Sequence, residues 1–447
     1  MDDGGWRTYR ALCAGGKPQV ILITALVRGL GTVKILVLNF YYAPDFSSDV
    51  PVLQSIVEGL ARRGHMIHMV VAAPHRQGGT IWPEYHGGFF WHEETPGISI
   101  DRTWVYSRPN MTMAGRMCNY LSYSVLALPL LLCRAQPDII FVPTPPPNMG
   151  VTGMLAGLVR GAPYVLNVQD IYPDVAVRAG MLREGRLTAC VQQIEHVVYR
   201  RASRVTVISE GFKHNLLAKG VPAAKIAVLP NFVDTATVVP LSRLTPLRQT
   251  LGLEDRLVIL YAGSLGHPQG LACVLDAAAL LQHRKDLFFL FVGAGAKKGA
   301  LESLAQEKRL ANVQFLPPSP WPEVPQVLAT ADISLVPLRR GFGFETVPSK
   351  LYSVMASGRP VIASVDPGCD TWSLVQTSGC GICVAPEDAT ALAEAIGRLA
   401  DDRELRQRLG GVGRTHVVEH YSQAQIVSRY EALFTEVIEE WRQPPTR

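Results

Sequence analysis

Apolar runs long enough to cross a bilayer are missing from the 447-residue sequence. VILITALVRGLG, near the start, and NYLSYSVLALPLLLCRAQ, from Asn119, both fall short of the roughly 20 residues a spanning helix needs. No Lys/Arg run of the kind that grips nucleic acid occurs, and the formal charge of +5 is mild. It permits attraction to an anionic membrane or a nucleotide and demands neither. No Asp-x-Asp triplet and no His/Cys/Asp cluster has metal-ligand spacing, so no metal is expected. The eight cysteines lack the spacing of a disulfide framework, which points to a reducing compartment. Cys380-Gly-Ile-Cys383 has redox or half-zinc spacing but no second pair, and its apolar surroundings suggest a structural role. GAGAKKG, from Gly293, lacks the third glycine of a dinucleotide fingerprint. The first thirty residues lack a basic n-region and a clean cleavage site. They read as a disordered or loosely packed extension, because the first convincing strand begins at Val33.

From Val33 the chain alternates strands and helices. VKILVLNF is a continuous apolar run, as a strand buried on both faces requires. A helix ending at Gly64 and the strand MIHMVVAA follow, a βαβ rhythm that favours a parallel sheet. Residues 74–120 break that rhythm with aromatics, glycines and basic residues, and read as a long functional loop. The next helix is apolar, about fourteen residues long and broken by Pro129; it reads either as a buried core helix or as an element docked on a membrane interface. Strands in PDIIFVPTPPP, GAPYVLNVQDIYPD, SRVTVISEG and KIAVLPNFVDT complete a first half. The rhythm then restarts at LVILYAGSLG. The expected fold is α/β, with two Rossmann-like, doubly wound domains facing across a cleft. An amino-terminal domain spans 31–235, a linker 236–250 and a carboxy-terminal domain 251–420. The amphipathic helix over 421–441 is expected to pack back on the first domain.

Open α/β sheets bind ligands at the carboxyl ends of their strands, which singles out four loops. Gly341–Val365 reads as a glycine loop, a short helix and a buried strand. Glu345, Pro348, Ser349 and Lys350 crowd the helix start, where free N–H groups and an ammonium favour an anion. Gly263-Ser264-Leu265-Gly266 and Gly293-Ala294-Gly295 end strands in the geometry that lets backbone approach a phosphate; an ordinary strand-to-helix turn has the same pattern. Asp170, at a strand end, is a carboxylate able to orient or deprotonate a hydroxyl, or a simple turn residue. Arg339 and Arg340 are phosphate ligands or a solvated rim pair.

KILVLNFYYAPD with LARRGH, QDIYPD, VISEGFKHNLLAKGVP, LYAGSLGHPQGL, GAG and ETVPSKLYSVMASGRPVIASVD together resemble the GT-B glycosyltransferases of family 4. Within that family the chain resembles the bacterial O-antigen and colanic-acid N-acetyl-L-fucosamine transferases. The resemblance runs from about Val33 to the end. It implies a nucleotide-diphosphate sugar, a UDP-sugar in preference to a GDP-sugar, bound as substrate by the second half, with no cofactor and no metal. It implies an acceptor, a polyprenyl-diphosphate-linked saccharide, on the first half. Retention of anomeric configuration and work at the cytoplasmic face of the membrane come with it. By resemblance Glu345 contacts the donor sugar, Lys350 the diphosphate, and Asp170 orients a reactant. Gly263, Ser264, Gly266, Gly295, Arg339, Ser349 and Ser353 fall on the donor side. Ser47, Ser48 and Gln169 fall on the acceptor side or phosphate loop. Three positions depart from the family: Ser353 stands where a second Glu binds ribose, Ser47-Ser48 replaces Gly-Gly, and Gln169-Asp170 replaces His-Asp. Gln269 stands where many relatives have Lys. A nucleotide-sugar 2-epimerase, a non-catalytic sugar-nucleotide-binding assembly protein and a dinucleotide oxidoreductase are the competing readings.

Overall fold

Fourteen strands fall into two sheets in the computed structural model, which describes residues 31–45, 50–75, 79–132, 134–174, 185–344 and 346–443. The first sheet takes strands β1 (Lys34–Leu38), β2 (Met66–Ala72), β3 (Phe90–Thr95), β4 (Ile98–Thr103), β5 (Ile139–Thr144), β6 (Tyr164–Val168), β7 (Arg204–Val207) and β8 (Ile226–Val228). Their order is β3-β4-β2-β1-β5-β6-β7-β8, and only the β3–β4 pair is antiparallel. Its helices are α1 (Val50–Arg62), α2 (Met113–Leu132), α3 (Asn148–Arg160), α4 (Arg186–Arg201) and α5 (Glu210–Ala218). On one face Leu36, Leu38, Ile140 and Val142 pack against Tyr123 and Ala127 of α2, Met149 and Ala156 of α3, and Val198 of α4.

The second sheet is wholly parallel, in the order β11-β10-β9-β12-β13-β14. Its strands are β9 (Leu257–Ala262), β10 (Leu287–Val292), β11 (Val313–Leu316), β12 (Ile333–Pro337), β13 (Val361–Ser364) and β14 (Gly381–Val384). Around them lie α6 (Pro246–Thr250), α7 (Leu271–Leu280), α8 (Lys298–Glu307), α9 (Val324–Ala329), α10 (Lys350–Ala356), α11 (Asp370–Ser378), α12 (Ala389–Asp401), α13 (Arg403–His420) and α14 (Gln423–Arg442). Phe289 and Phe291 are buried on one face of this sheet, Leu290 and Val336 on the other. The two-sheet, Rossmann-like α/β architecture is therefore the one expected.

Two local readings need correction. Residues 74–120 are not one irregular loop: β3 and β4 form a hairpin that extends the sheet. The pattern was hidden because β3 is an edge strand with polar, exposed side chains. Arg102, buried in β4, holds the pair by donating to Glu93 at 2.6 Å. The helix thought to break at Pro129 starts earlier, at Met113, and continues through the proline to Leu132. Burial of Ala127 and Leu131 on either side offsets the hydrogen bond that proline removes.

Segment 236–250 is packed on the second half through Arg248, fully buried and paired with Asp332, and Thr245, 2.7 Å from the Thr330 hydroxyl. Helix α14 returns to the first sheet on the face opposite α2, α3 and α4. There Tyr430 and Phe434 meet the Phe141 ring at 5.4 and 5.3 Å, and Glu431 binds His65 at 2.9 Å. Cys380 and Cys383 lie at the start of and within β14 as free thiols; burial pushes them up to about 11 and about 12, which makes them poor nucleophiles.

Candidate active site

Strands β9 and β10 end in register, Ala262 opposite Val292, and both then turn on glycine. Gly263 donates to the Val292 carbonyl at 2.9 Å, and Leu265 to Ala294 at 2.8 Å. The two loops lie backbone against backbone, with Gly295 pressed on the Leu265 carbonyl. Gly263 has φ +143, a conformation open to glycine and strained for other residues. Gly266 donates to Gln269 Oε1 at 3.1 Å, so that N–H closes the turn and Ser264 remains exposed at the tip.

Lys350 enters this corner from α10. Its Nζ donates to the Tyr261 hydroxyl at 2.7 Å and stands 3.9 Å from that ring's centroid. Tyr261 in turn donates to the Ser264 carbonyl at 2.6 Å. A Cβ built on Gly263 would lie 2.8 Å from Nζ, so the glycine is also what admits the ammonium. Among the described residues no carboxylate pairs with Lys350. Desolvation accordingly pushes its ammonium down to about 7. Such a group gains most from an incoming anion. Since α10 has only seven residues, this charge outweighs any helix dipole.

The loop leading to Lys350 is fixed by a residue that sequence reasoning passed over. Asp366, buried just beyond β13, accepts from Gly341 N at 2.8 Å and Gly343 N at 3.1 Å. A loop whose amides converge on one carboxylate keeps its shape without a ligand. Val347, in the same loop, packs against the cores of both halves. The halves also meet where Asp370, first in α11, accepts from Gly211 N at 3.1 Å near the start of α5.

The other singled-out residues divide between the two sheets. Ser349 caps α10 without a side-chain bond and is exposed; Ser353 is half-buried one turn after Lys350. Arg339 shares its charge with Glu387 at 3.1 Å and touches His267 at 2.8 Å, which holds it at the rim. Arg340 donates to the Pro386 carbonyl. Gln169 and Asp170 follow β6 in the first half. Gln169 donates to Asn167 Oδ1 at 2.8 Å, and Asn167 reaches Tyr430 of α14 at 3.0 Å. Glu345, Ser47 and Ser48 lie outside the described residues. Among the described residues no cluster has the makings of a metal site. Tyr261 and Asp366 were the residues missed. Tyr261 is the one hydroxyl-bearing side chain in LVILYA, and Asp366 the first charge after an apolar strand.

Residues 50–231 match the Glycosyl transferase 4-like domain family, and residues 245–416 match Glycosyl transferases group 1. The chain is a glycosyltransferase of the GT-B fold. It is 28% identical over 372 residues to the putative colanic acid biosynthesis glycosyl transferase WcaI of Escherichia coli, covering 81% of this chain and 91% of that one. A probable glycosyltransferase of Pseudomonas aeruginosa, WbjE, is 26% identical over 355 residues, covering 78% and 88%. Among solved structures, HepE of Anabaena in complex with UDP and glucose superposes with a TM-score of 0.68 at 16% identity, over 90% of this chain and all of that one. WaaG, a glycosyltransferase involved in lipopolysaccharide biosynthesis, gives 0.63 at 18%, over 90% and 99%. At those identities the structures speak to the fold. In this glycosyltransferase the loops after β9 and β10, with α10, occupy the carboxyl edge of the second sheet, where open α/β sheets bind ligands.

Proposed function

We propose that the enzyme transfers a sugar from a UDP-sugar to a hydroxyl of a polyprenyl-diphosphate-linked saccharide during cell-surface polysaccharide assembly at the inner face of the cytoplasmic membrane. N-acetyl-L-fucosamine is the sugar we favour. The observation that carries the reading is the Lys350 ammonium held by Tyr261 beside the Gly263 backbone without a described counter-charge. The kinship with WcaI and WbjE supports the polysaccharide context.

In this reading the diphosphate lies against Gly263–Gly266 and Lys350, with Ser349, Ser353, Gly295 and Arg339 around it. Glu345 holds the donor sugar. The bond between the anomeric carbon and the diphosphate oxygen breaks while the acceptor hydroxyl bonds to that carbon from the same face. The acceptor proton passes to the departing diphosphate oxygen. Lys350 offsets the negative charge growing there, so no metal is required. Asp170 and Gln169, at the end of β6, orient the acceptor, with Ser47 and Ser48 on the phosphate side.

A panel of sugar nucleotides assayed with membranes carrying lipid-linked GlcNAc tests this. Transfer from one UDP-sugar with release of UDP is expected. Free epimerised sugar nucleotide without acceptor, or donor binding without turnover on any acceptor, contradicts the reading. Within that assay Glu345→Gln removes a charged acceptor of sugar hydroxyls. It is expected to lower kcat/KM for the donor by about tenfold to a hundredfold, as loss of a charge-assisted hydrogen bond does. Unchanged donor kinetics would remove Glu345 from the site.

A further inference from the structure

Two carboxylates, one from each half of the chain, end on the same stripe of α5. Gly211, Asn215 and Lys219 recur every fourth residue along and just beyond this nine-residue helix, so they share one face. At the top of the stripe Gly211 N donates to both oxygens of Asp370, at 3.1 and 3.2 Å. A Cβ built on Gly211 would overlap Asp370 Oδ2, so the glycine is what lets the carboxylate reach the helix. One turn on, Asn215 Nδ2 donates to Asp174 Oδ2 at 3.1 Å, and Lys219 Nζ donates to Asp174 Oδ1 at 3.1 Å. Lys219 is itself fixed by Glu195 of α4 at 3.0 Å, and Glu195 also accepts from the Tyr199 hydroxyl at 2.6 Å.

Topology gives these contacts a direction. Helix α5 follows β7 and α11 follows β13, so both helices begin at the carboxyl edges of parallel strands. Asp370 therefore reaches from the edge that carries Lys350 to the edge that carries Asp170. It opens α11 and also meets the first turn of α5, so two helix N-termini share one half-buried carboxylate. A bond of this charge-assisted kind is stronger than one between neutral groups. Asp174 closes the segment 169–174, which leaves β6 with Gln169 and Asp170. The near end of that segment is tied by Gln169 to Asn167 at 2.8 Å, its middle is sunk at Ile171, and its far end is the Asp174 anchor. The acceptor loop thus has one end fixed in the sheet and the other on α5, and α5 is also what the donor half touches.

We infer that α5 is a rod through which the donor half positions the acceptor loop, with Asp370 and Lys219 as positioning residues. The inference rests on the proposed function for the role of Asp170, but the linkage itself is read without turnover. Amide hydrogen exchange of the full-length protein, over the peptide spanning 169–174, is the first measurement. Asp370→Ala and Gly211→Ala are expected to speed exchange there by about tenfold, although neither residue touches that segment. Lys219→Met should do the same by releasing Asp174 directly. Asp370→Asn keeps an acceptor oxygen and should restore most of the protection. In transfer assays Asp370→Ala, Gly211→Ala and Lys219→Met should each lower kcat/KM for the acceptor by about tenfold, with UDP affinity held within about twofold. The double variant Asp370→Ala, Lys219→Met should fall short of the product of the single effects, because both act through one helix. Gly211→Ala separates positioning from a purely structural role. Alanine favours the helix, so Tm should hold or rise while exchange and acceptor kinetics worsen. Unchanged exchange over 169–174 in Asp370→Ala and Gly211→Ala, or fully multiplicative effects in the double variant, overturns the inference. Failure of the transferase reading would appear instead as wild type without turnover on any acceptor, with the exchange response intact.

Discussion

Replacing Lys350 by alanine is expected to lower kcat/KM for the sugar nucleotide by about a hundredfold to a thousandfold while the protein stays folded. Removing one preorganised charge partner from a developing anion typically costs about 2.7–4 kcal/mol of transition-state stabilisation. Most of the loss should appear in kcat, because the leaving diphosphate carries more charge in the transition state than in the bound donor. Near-wild-type turnover would remove Lys350 from the diphosphate site. Stability supplies an independent sign. The folded ammonium is depressed to about 7 by burial, while the unfolded one titrates near 10.4. Between those values the unfolded chain binds more protons, so wild type should gain stability as pH rises from about 7 towards 10. Lys350→Ala should lack that increment and be no less stable at pH 7. Binding of UDP should also draw a proton onto Lys350 above pH 7. Its affinity should therefore fall with rising pH, and its calorimetric heat should change with the ionisation enthalpy of the buffer. A pH-independent affinity between 7 and 9 would contradict the assignment.

That Lys350 could be singled out from sequence, while Tyr261 and Asp366 could not, has a physical reason. Local patterns carry local information: the strand-loop-helix order and the glycines after LVILYA and LFFLFV place loops at a sheet edge, and Pro348-Ser349-Lys350 marks a helix start. Tyr261 lies 89 residues from Lys350 and meets it only because β9 and β12 are neighbours in the sheet. Asp366 serves Gly341 across 25 residues, through the return of the chain along β13. Both relations belong to topology. The hairpin of β3 and β4 escaped for another reason, since an exposed edge strand has no buried face to impose alternation. The course of α2 through Pro129 shows tertiary packing overriding a local breaker.

The backbone contact beneath the ammonium makes the second large prediction. A Cβ built on Gly293 would stand 1.9 Å from the Gly263 carbonyl oxygen, with Gly263 C at 3.0 Å. Both atoms belong to backbone, so no side-chain rotation relieves the overlap. Gly293→Ala must push the two loops apart, carrying Gly263 away from Lys350 Nζ and loosening the bond from Leu265 N to Ala294 O. Overpacking of this kind costs about 3 kcal/mol. For a domain of this size that corresponds to a fall in Tm of roughly 10 °C. Donor binding should fall further than stability does, because the displaced backbone is the surface against which the diphosphate is proposed to lie. Gly299→Ala is the control. It lies near the start of α8 with nothing within 4 Å of a built Cβ, and should be stabilising by about 0.5–1 kcal/mol with unchanged kinetics. If Gly293→Ala behaved like Gly299→Ala, the loops after β9 and β10 would not be held backbone to backbone. The proposal that they form one rigid cradle for the diphosphate would fail with them.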